Sequence, residues 1–226
     1  MTTEEQLAVF DLDGREIGAT SRSVAYARGD RVGLVFVWIA WPAQDGGVRM
    51  LLQSRARPGD RYEGSLDAPA GGHVAVGEGP LAAAARELFE ETGLRADTAE
   101  LRLVDRTTLE LDAPGETRLR AVQWSYLWIE RVPLLDLHLG EEVDAFVETD
   151  LAELSDLLAG GRGWSDGLVR YAHSPSEVSR LAVQPAAFSA YPPPVLAIIR
   201  RSLACVVREV TRSLSAAGHP PSGRTP

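Results

Sequence analysis

Apolar residues recur along the chain in two rhythms. From Val32 to Trp41 nearly every position is branched or aromatic, and Val48 to Ser54 answers it across Asp45-Gly46-Gly47, as two buried strands joined by a turn would. Leu7 to Phe10 and Arg15 to Ala19 flank Asp13-Gly14 and predict a short hairpin. Leu101 to Leu111 and Leu119 to Glu130 predict two long strands turning at Pro114-Gly115. The second rhythm is helical. Between Pro80, whose φ suits a first turn, and Gly93, which suits a C′ position, Leu81, Ala84, Ala85 and Leu88 share one side, flanked by Ala82 and Phe89. Asp150 is placed to cap a helix from Leu151 to Leu158 that stops at Gly160-Gly161. After a proline-bearing connector from Pro185 to Pro194, apolar residues at Leu196, Ile199, Leu203, Val206, Val210 and Leu214 predict a long amphipathic helix.

These elements predict an α/β fold in which a mixed sheet lies between helices. The division expected is a catalytic domain over 1–160 including the N-terminal hairpin, a helical extension over 161–215 and a disordered tail over 216–226. The terminal helix needs a partner surface, which the main domain or a second subunit of a homodimer would each supply, with Arg200, Arg201, Arg208 and Arg212 on its wet side.

The polar face of the helix after Pro80 changes the picture. Glu87, Glu90 and Glu91 fall at i, i+3 and i+4 beside Arg86, so three carboxylates share one stripe. Like charges at that spacing destabilise a helix by a few tenths of a kcal/mol per pair. A bound divalent cation would offset this, and hard oxygen ligands favour Mg2+ or Mn2+. Glycines 71 and 72 allow a tight backbone approach just before, and Arg55 to Ala70 reads as a loop leading into this stretch.

Gly72, Glu78, Arg86, Glu87, Glu90, Glu91 and Gly93, with apolar Leu88 and Leu94, fill every specified position of G-x5-E-x7-R-E-U-x-E-E-x-G-U, where U is apolar. The chain thereby resembles the Nudix hydrolases over roughly residues 30–160. The resemblance implies an α/β/α sandwich and metal-dependent attack of water on a diphosphate linkage. It implies Glu90 and Glu91 as metal ligands, Glu87 as a ligand or as the carboxylate that orients and deprotonates water, and the Gly72 carbonyl as a further ligand. Arg86 would hold a box glutamate or grip phosphate, Glu78 would pair with Arg86 or be an outer member of the metal cluster, and Glu110, Glu141 and Glu142 are candidates for one more carboxylate. Arg55, Arg57 and Arg61 are candidate diphosphate binders, and His73, which adjoins the box, is an incidental or structural histidine, with a ligand role the lesser alternative. The substrate expected is a small-molecule phosphoanhydride, a nucleoside diphosphate linked to another group or a nucleoside triphosphate.

Residues 51–78 and the early FDLDGREIG also resemble the isopentenyl-diphosphate isomerase branch of the superfamily. That branch carries a catalytic cysteine just ahead of the box segment. Here residues 66–73 read LDAPAGGH and the one cysteine is Cys205, so hydrolysis is preferred over isomerisation. A Nudix-like ligand sensor would lose box carboxylates, and these are intact.

Charge narrows the partners. Residues 1–160 hold 15 Arg against 29 acidic residues and residues 161–226 hold 8 Arg against 3. The overall acidity argues against general nucleic-acid binding, which usually shows as a basic footprint. It also makes an anionic substrate depend on metal and on locally placed arginines. The run from Val32 to Trp41 is too short to span a bilayer. With one cysteine and a polar start, a cytoplasmic protein without a membrane partner is expected.

Overall fold

A computed structural model describes residues 4–56, 62–112, 118–140 and 142–216. In chain order the elements are β1 (Gln6–Phe10), β2 (Glu16–Ser21), α1 (Arg22–Arg28), β3 (Arg31–Pro42), β4 (Val48–Arg55), β5 (Leu66–Asp67), β6 (Ala70–His73), α2 (Pro80–Thr92), β7 (Arg102–Leu111), β8 (Leu119–Trp128), β9 (Val143–Asp150), α3 (Leu151–Ala159), β10 (Ser165–Tyr171), β11 (Ser179–Val183) and α4 (Pro193–Ala216).

β3 organises the sheet because apolar side chains leave it on both faces. Val35, Val37 and Ile39 pack with Ala83, Ala84 and Leu88 of α2, while Trp38 and Ala40 belong to the core that holds α3 and α4. The result is the α/β/α sandwich with a mixed sheet: β8 runs parallel to β3, whereas β4, β6 and β1 run antiparallel to it. On one edge β3 changes partner. Its first half, Leu34 to Val37, pairs with β6, and its second half, Ile39 to Pro42, pairs with β4. The sheet therefore forks between β6 and β4, and this fork positions the site.

Helix ends follow local chemistry. Asp150 Oδ1 accepts from the backbone N–H groups of Ala152 and Glu153 and starts α3. Gly93 and Gly160 end α2 and α3 in the left-handed region, at φ 75° and 83°.

The segment after residue 160 holds the expected C-terminal helix, α4, and adds two strands, β10 and β11, that the sequence did not show. β10 pairs with β9 and β11 pairs with β10, so the sheet runs through residue 160 without a break. Ser165, Asp166 and Gly167 hide β10 because its polar positions interrupt the apolar alternation by which a strand is read. β9, β5, β6 and α1 also went unread, the first because Asp144, Glu148 and Asp150 dilute its apolar face.

α4 docks on the main domain, the first of its two expected partner surfaces. Ile199, Leu203, Val206 and Val210 are buried, Ser202 meets Ser125 at 3.1 Å, and Arg201 donates to the buried Asp105 at 2.6 Å. Each fully buried Leu or Val contributes roughly 1.5–3 kcal/mol, so α4 is part of the core. Arg200, Arg201, Arg208 and Arg212 do face solvent. The expected tail beyond Ala216, like Arg57, Arg61, Glu141 and the Pro114-Gly115 turn, lies outside the described residues. No helix among the described residues is long and apolar enough to cross a membrane.

Candidate functional site

α2 carries the box, but its faces differ from the expected division. Ala83, Ala84, Glu87, Leu88 and Thr92 form the buried stripe. Leu81 and Phe89 are instead exposed, the latter covered by the Arg95 guanidinium at 3.7 Å from its ring centre. Glu87 thus sits at the border of the apolar stripe, not opposite it. The cause is the approach of β6: a methyl group built on Gly72 would fall inside the Glu87 carboxylate. Only glycine leaves that cradle open.

Arg86 gathers the acids. Its Nε and Nη2 donate to the two oxygens of Glu78, both at 3.0 Å. Nη1 donates to Glu87 at 2.8 Å and to Glu90 at 3.0 Å, and Nη2 also donates to the His73 carbonyl at 2.9 Å. This fork anchors a loop, a strand end and two helix positions together. Its pairing with Glu78, then Glu87, raises the Arg86 pKa and keeps it a cation.

Glu91 fills the fork of the sheet. Its Oε2 accepts from Gln53 Nε2 on β4 and from the Gly71 N–H on β6, both at 3.0 Å. Burial pushes its carboxyl up to about 7, the charges of Glu87 and Glu142 adding to the shift and the Gly71 and Gln53 bonds opposing it. Burial likewise raises Glu87 against the pull of Arg86. Glu90 is half exposed and meets the Arg86 guanidinium.

A cavity of about 600 Å³ opens beside these groups, and Gln53, Gly72, Glu87, Glu90, Glu91 and Glu142 line it. Of the expected site residues the structure brings together Gly72, Arg86, Glu87, Glu90, Glu91 and, on the cavity wall, Arg55. Arg55 lies 3.8 Å from Asp67, whose Oδ2 accepts from the Tyr191 hydroxyl at 2.9 Å. Of the three candidates for a further carboxylate, Glu142 reaches the cavity. Glu110 is committed to Arg31 and Arg120 at 2.8 and 3.1 Å. His73 is a cavity residue bonded to the Tyr26 hydroxyl at 2.7 Å.

Sequence reasoning missed Gln53, Asp67, Tyr26 and Tyr191. Gln53 had a signal, an amide directly after the apolar Met50-Leu51-Leu52 run of a buried strand. Asp67 and Tyr191 had none, since 124 residues separate them.

The donor set suits a hard cation. Glu87 and Glu90 converge on one guanidinium nitrogen, and carboxylate oxygens are what Mg2+ and Mn2+ prefer. Among the described residues no three acidic, histidine or cysteine side chains already stand as a closed cation cage. Arg86 supplies the positive charge between them.

The NUDIX domain family matches residues 35–171, and the chain belongs to that family, which supports pyrophosphate-cleaving hydrolysis in general terms. Among relatives, an isopentenyl-diphosphate Delta-isomerase of Serratia proteamaculans is 29% identical over 68% of this chain and 80% of its own. A protein of Mycobacterium tuberculosis named "Putative 8-oxo-dGTP diphosphatase 2" is 37% identical over 55% of this chain and 82% of its own. A MutT/nudix family protein of Enterococcus faecalis shares the fold, with a TM-score of 0.51 at 16% identity over 88% of this chain and 70% of its own.

Proposed function

We propose that this protein is a metal-dependent hydrolase that cleaves a diphosphate linkage joined to a nucleoside or to another organic group. The observation that carries the reading is the convergence of Glu87 and Glu90 on Arg86, one helical turn from Glu91, at the mouth of a cavity. Glu87, Glu90, Glu91 and the Gly72 carbonyl would hold Mg2+ or Mn2+, consistent with the divalent metals that the family generally uses. Such an ion supplies charge for the phosphoryl oxygens and lowers the pKa of bound water.

The protein's own groups do the rest. Arg86 fixes the directions of Glu87 and Glu90, so neither carboxylate must be reoriented when substrate arrives. Glu91 is held by backbone and amide donors at the sheet fork. Glu87, buried with a raised pKa, is suited either to bind the ion or to orient water and take its proton. Arg55, on β4 two residues from the Gln53 that bonds Glu91, lines the same cavity and is the candidate to bind a phosphate oxygen.

A phosphate-release screen over nucleotide sugars, dinucleotides, coenzyme A, nucleoside triphosphates and alkyl diphosphates with Mg2+ or Mn2+ tests this. Glu90→Gln should lower kcat on the best substrate on the order of 10³-fold, since metal-assisted charge stabilisation contributes several kcal/mol. A variant as active as wild type would remove the site assignment.

Isomerisation is a second reading, favoured by the Serratia relative. Against it, no thiol stands in residues 66–73, and Cys205 is buried in α4, away from the cavity lining. Deuterium uptake from heavy water into isopentenyl diphosphate without phosphate release would select isomerisation. A sensor built on a helix-turn-helix finds no support in residues 161–216, which hold two strands and α4.

A further inference from the structure

The cavity has two chemically different ends. One holds the carboxylates. The other lies on the face of β3, β8 and β7, where pairing sets Leu34 beside Gln123 and Leu111 opposite Leu119. Leu34, Leu109, Leu111, Leu119 and, from the first turn of α4, Val195 line this end. All but Leu109 are only partly buried, so apolar surface is left facing the cavity.

Among the described residues, few polar groups line this end. On the α1 side, Arg22 is paired with Glu5 at 3.2 Å and Tyr26 is bonded to His73 at 2.7 Å, so these groups meet one another. At the leucine end Gln123 is the amide that lines the cavity. A purine or pyrimidine brings several edge donors and acceptors, each penalised if desolvated without a partner. A hydrocarbon brings none and gains roughly fourfold in affinity for every methylene it buries. Of the walls at this end, α1 and α4 lie outside the family-matched residues 35–171, whereas Leu109, Leu111 and Leu119 lie within them.

We propose that the group joined to the substrate's diphosphate is a hydrocarbon, a branched or alkenyl chain of about five to ten carbons, which suits a small-ligand cavity of this size. The chain rests on Leu34, Leu111, Leu119 and Val195, and its diphosphate reaches the carboxylate end. The inference builds on the hydrolase reading and replaces the nucleoside expected from sequence. In the reaction the oxygen of water bonds to the terminal phosphorus and the bridging oxygen leaves with the alkyl monophosphate. One hydrogen of water stays on orthophosphate and the other neutralises the leaving oxygen, so no co-reactant is needed.

Calorimetric titration in Mg2+ with two non-hydrolysable methylenediphosphonates of equal charge, one carrying a geranyl group and one adenosine, separates binding from turnover. The geranyl analogue should bind at least tenfold more tightly, and a five-carbon analogue should fall between it and bare methylenediphosphonate. Val195→Asp places an acid in the first turn of α4, where the helix tolerates it, and should shrink the geranyl preference at least fivefold. Leu111→Asn should do the same without touching α4. Equal or tighter binding of the adenosine analogue, no binding of either, or a preference unmoved by both variants overturns the proposal. The hydrolase reading is judged separately by phosphate release and Glu90→Gln. A protein that cleaves nucleotides yet ignores the alkenyl chain would sink this inference and leave that reading standing.

Discussion

The box helix and the C-terminal segment build opposite parts of one cavity by opposite means. At the box, the proposed chemistry is local: a 23-residue stretch brings its own carboxylates, the arginine that organises them and the glycine that lets β6 approach. At the far wall it is assembled from distance, with Tyr191 and Val195 reaching residues more than a hundred positions earlier. The local part is electrostatically frustrated, with buried acids held at raised pKa values. The distant part combines apolar side chains such as Val195 with a buried polar contact, Tyr191 to Asp67. The proposed site thus falls where the local rules of stability are broken, as functional sites tend to do.

Two glycines break or sharpen this contrast most strongly. Gly72→Ala drives a methyl into the Glu87 carboxylate, the free end of a flexible side chain. Stability should change by less than the roughly 1–3 kcal/mol that overpacking a rigid core costs, whereas displacing a site group by about an ångström should cost about 100-fold in kcat/KM. Gly33→Ala meets the Phe10 ring and Val74 inside packed core. It should cost about 1–3 kcal/mol in denaturant unfolding and leave activity per folded molecule nearly unchanged. Similar losses of stability for both would show that the box is packed core like the rest.

A smaller effect follows from the raised pKa of Glu91. Its folded carboxyl titrates near 7 against 4.5 for an ordinary carboxylate. The folded metal-free protein thus holds a proton that the unfolded chain has released. Its contribution to stability is full below pH 4.5, is lost as pH climbs to about 7, and changes no further above that. Glu91→Gln removes this dependence. In chelator the variant should melt a few degrees above wild type at pH 8, and the gap should close toward pH 5. With Mg2+ the order should reverse at pH 8, since an ion bound by the Glu91 carboxylate stabilises wild type alone. Parallel melting curves across that range would show that Glu91 ionises as an exposed acid does.

How much could be read beforehand follows the same divide. The box carries its helix start, its stop and its acids within one window, so the register of Arg86, Glu87, Glu90 and Glu91 was visible. β3 and α4 were visible too, since long uninterrupted patterns survive local noise. The buried position of Glu87 was not, because helical spacing places it on the acid stripe and only the packing of β6 shows how near the core that stripe runs. β10 was lost to Asp166 and Gly167, whose polarity is compensated by pairing on both edges with β9 and β11. Asp67 and Tyr191 carry no sequence signal of each other. Their meeting is set by where the sheet places β5 and where the connector before α4 returns.

That last contact gives the gentlest test. The Tyr191 hydroxyl donates to Asp67 Oδ2, and both residues are buried. Burial, then the Asp67 charge, raises the tyrosine's pKa, so the hydroxyl stays protonated and remains a donor. Tyr191→Phe preserves the ring against Tyr62, whose centre lies 4.7 Å away, and deletes the donor alone. Asp67 keeps the Ala68 N–H at 2.8 Å and Arg55 at 3.8 Å, so the loss should sit near the low end for a buried charged acceptor, about 1 kcal/mol in denaturant midpoint analysis. Because Arg55 shares Asp67 with the tyrosine, the freed carboxylate should draw the guanidinium inward and away from phosphate. KM should then rise about two- to threefold at constant kcat, a small change in binding not specific to the transition state. A fall in kcat at constant KM would place Tyr191 with the box acids, and the two halves of the cavity would be one catalytic unit.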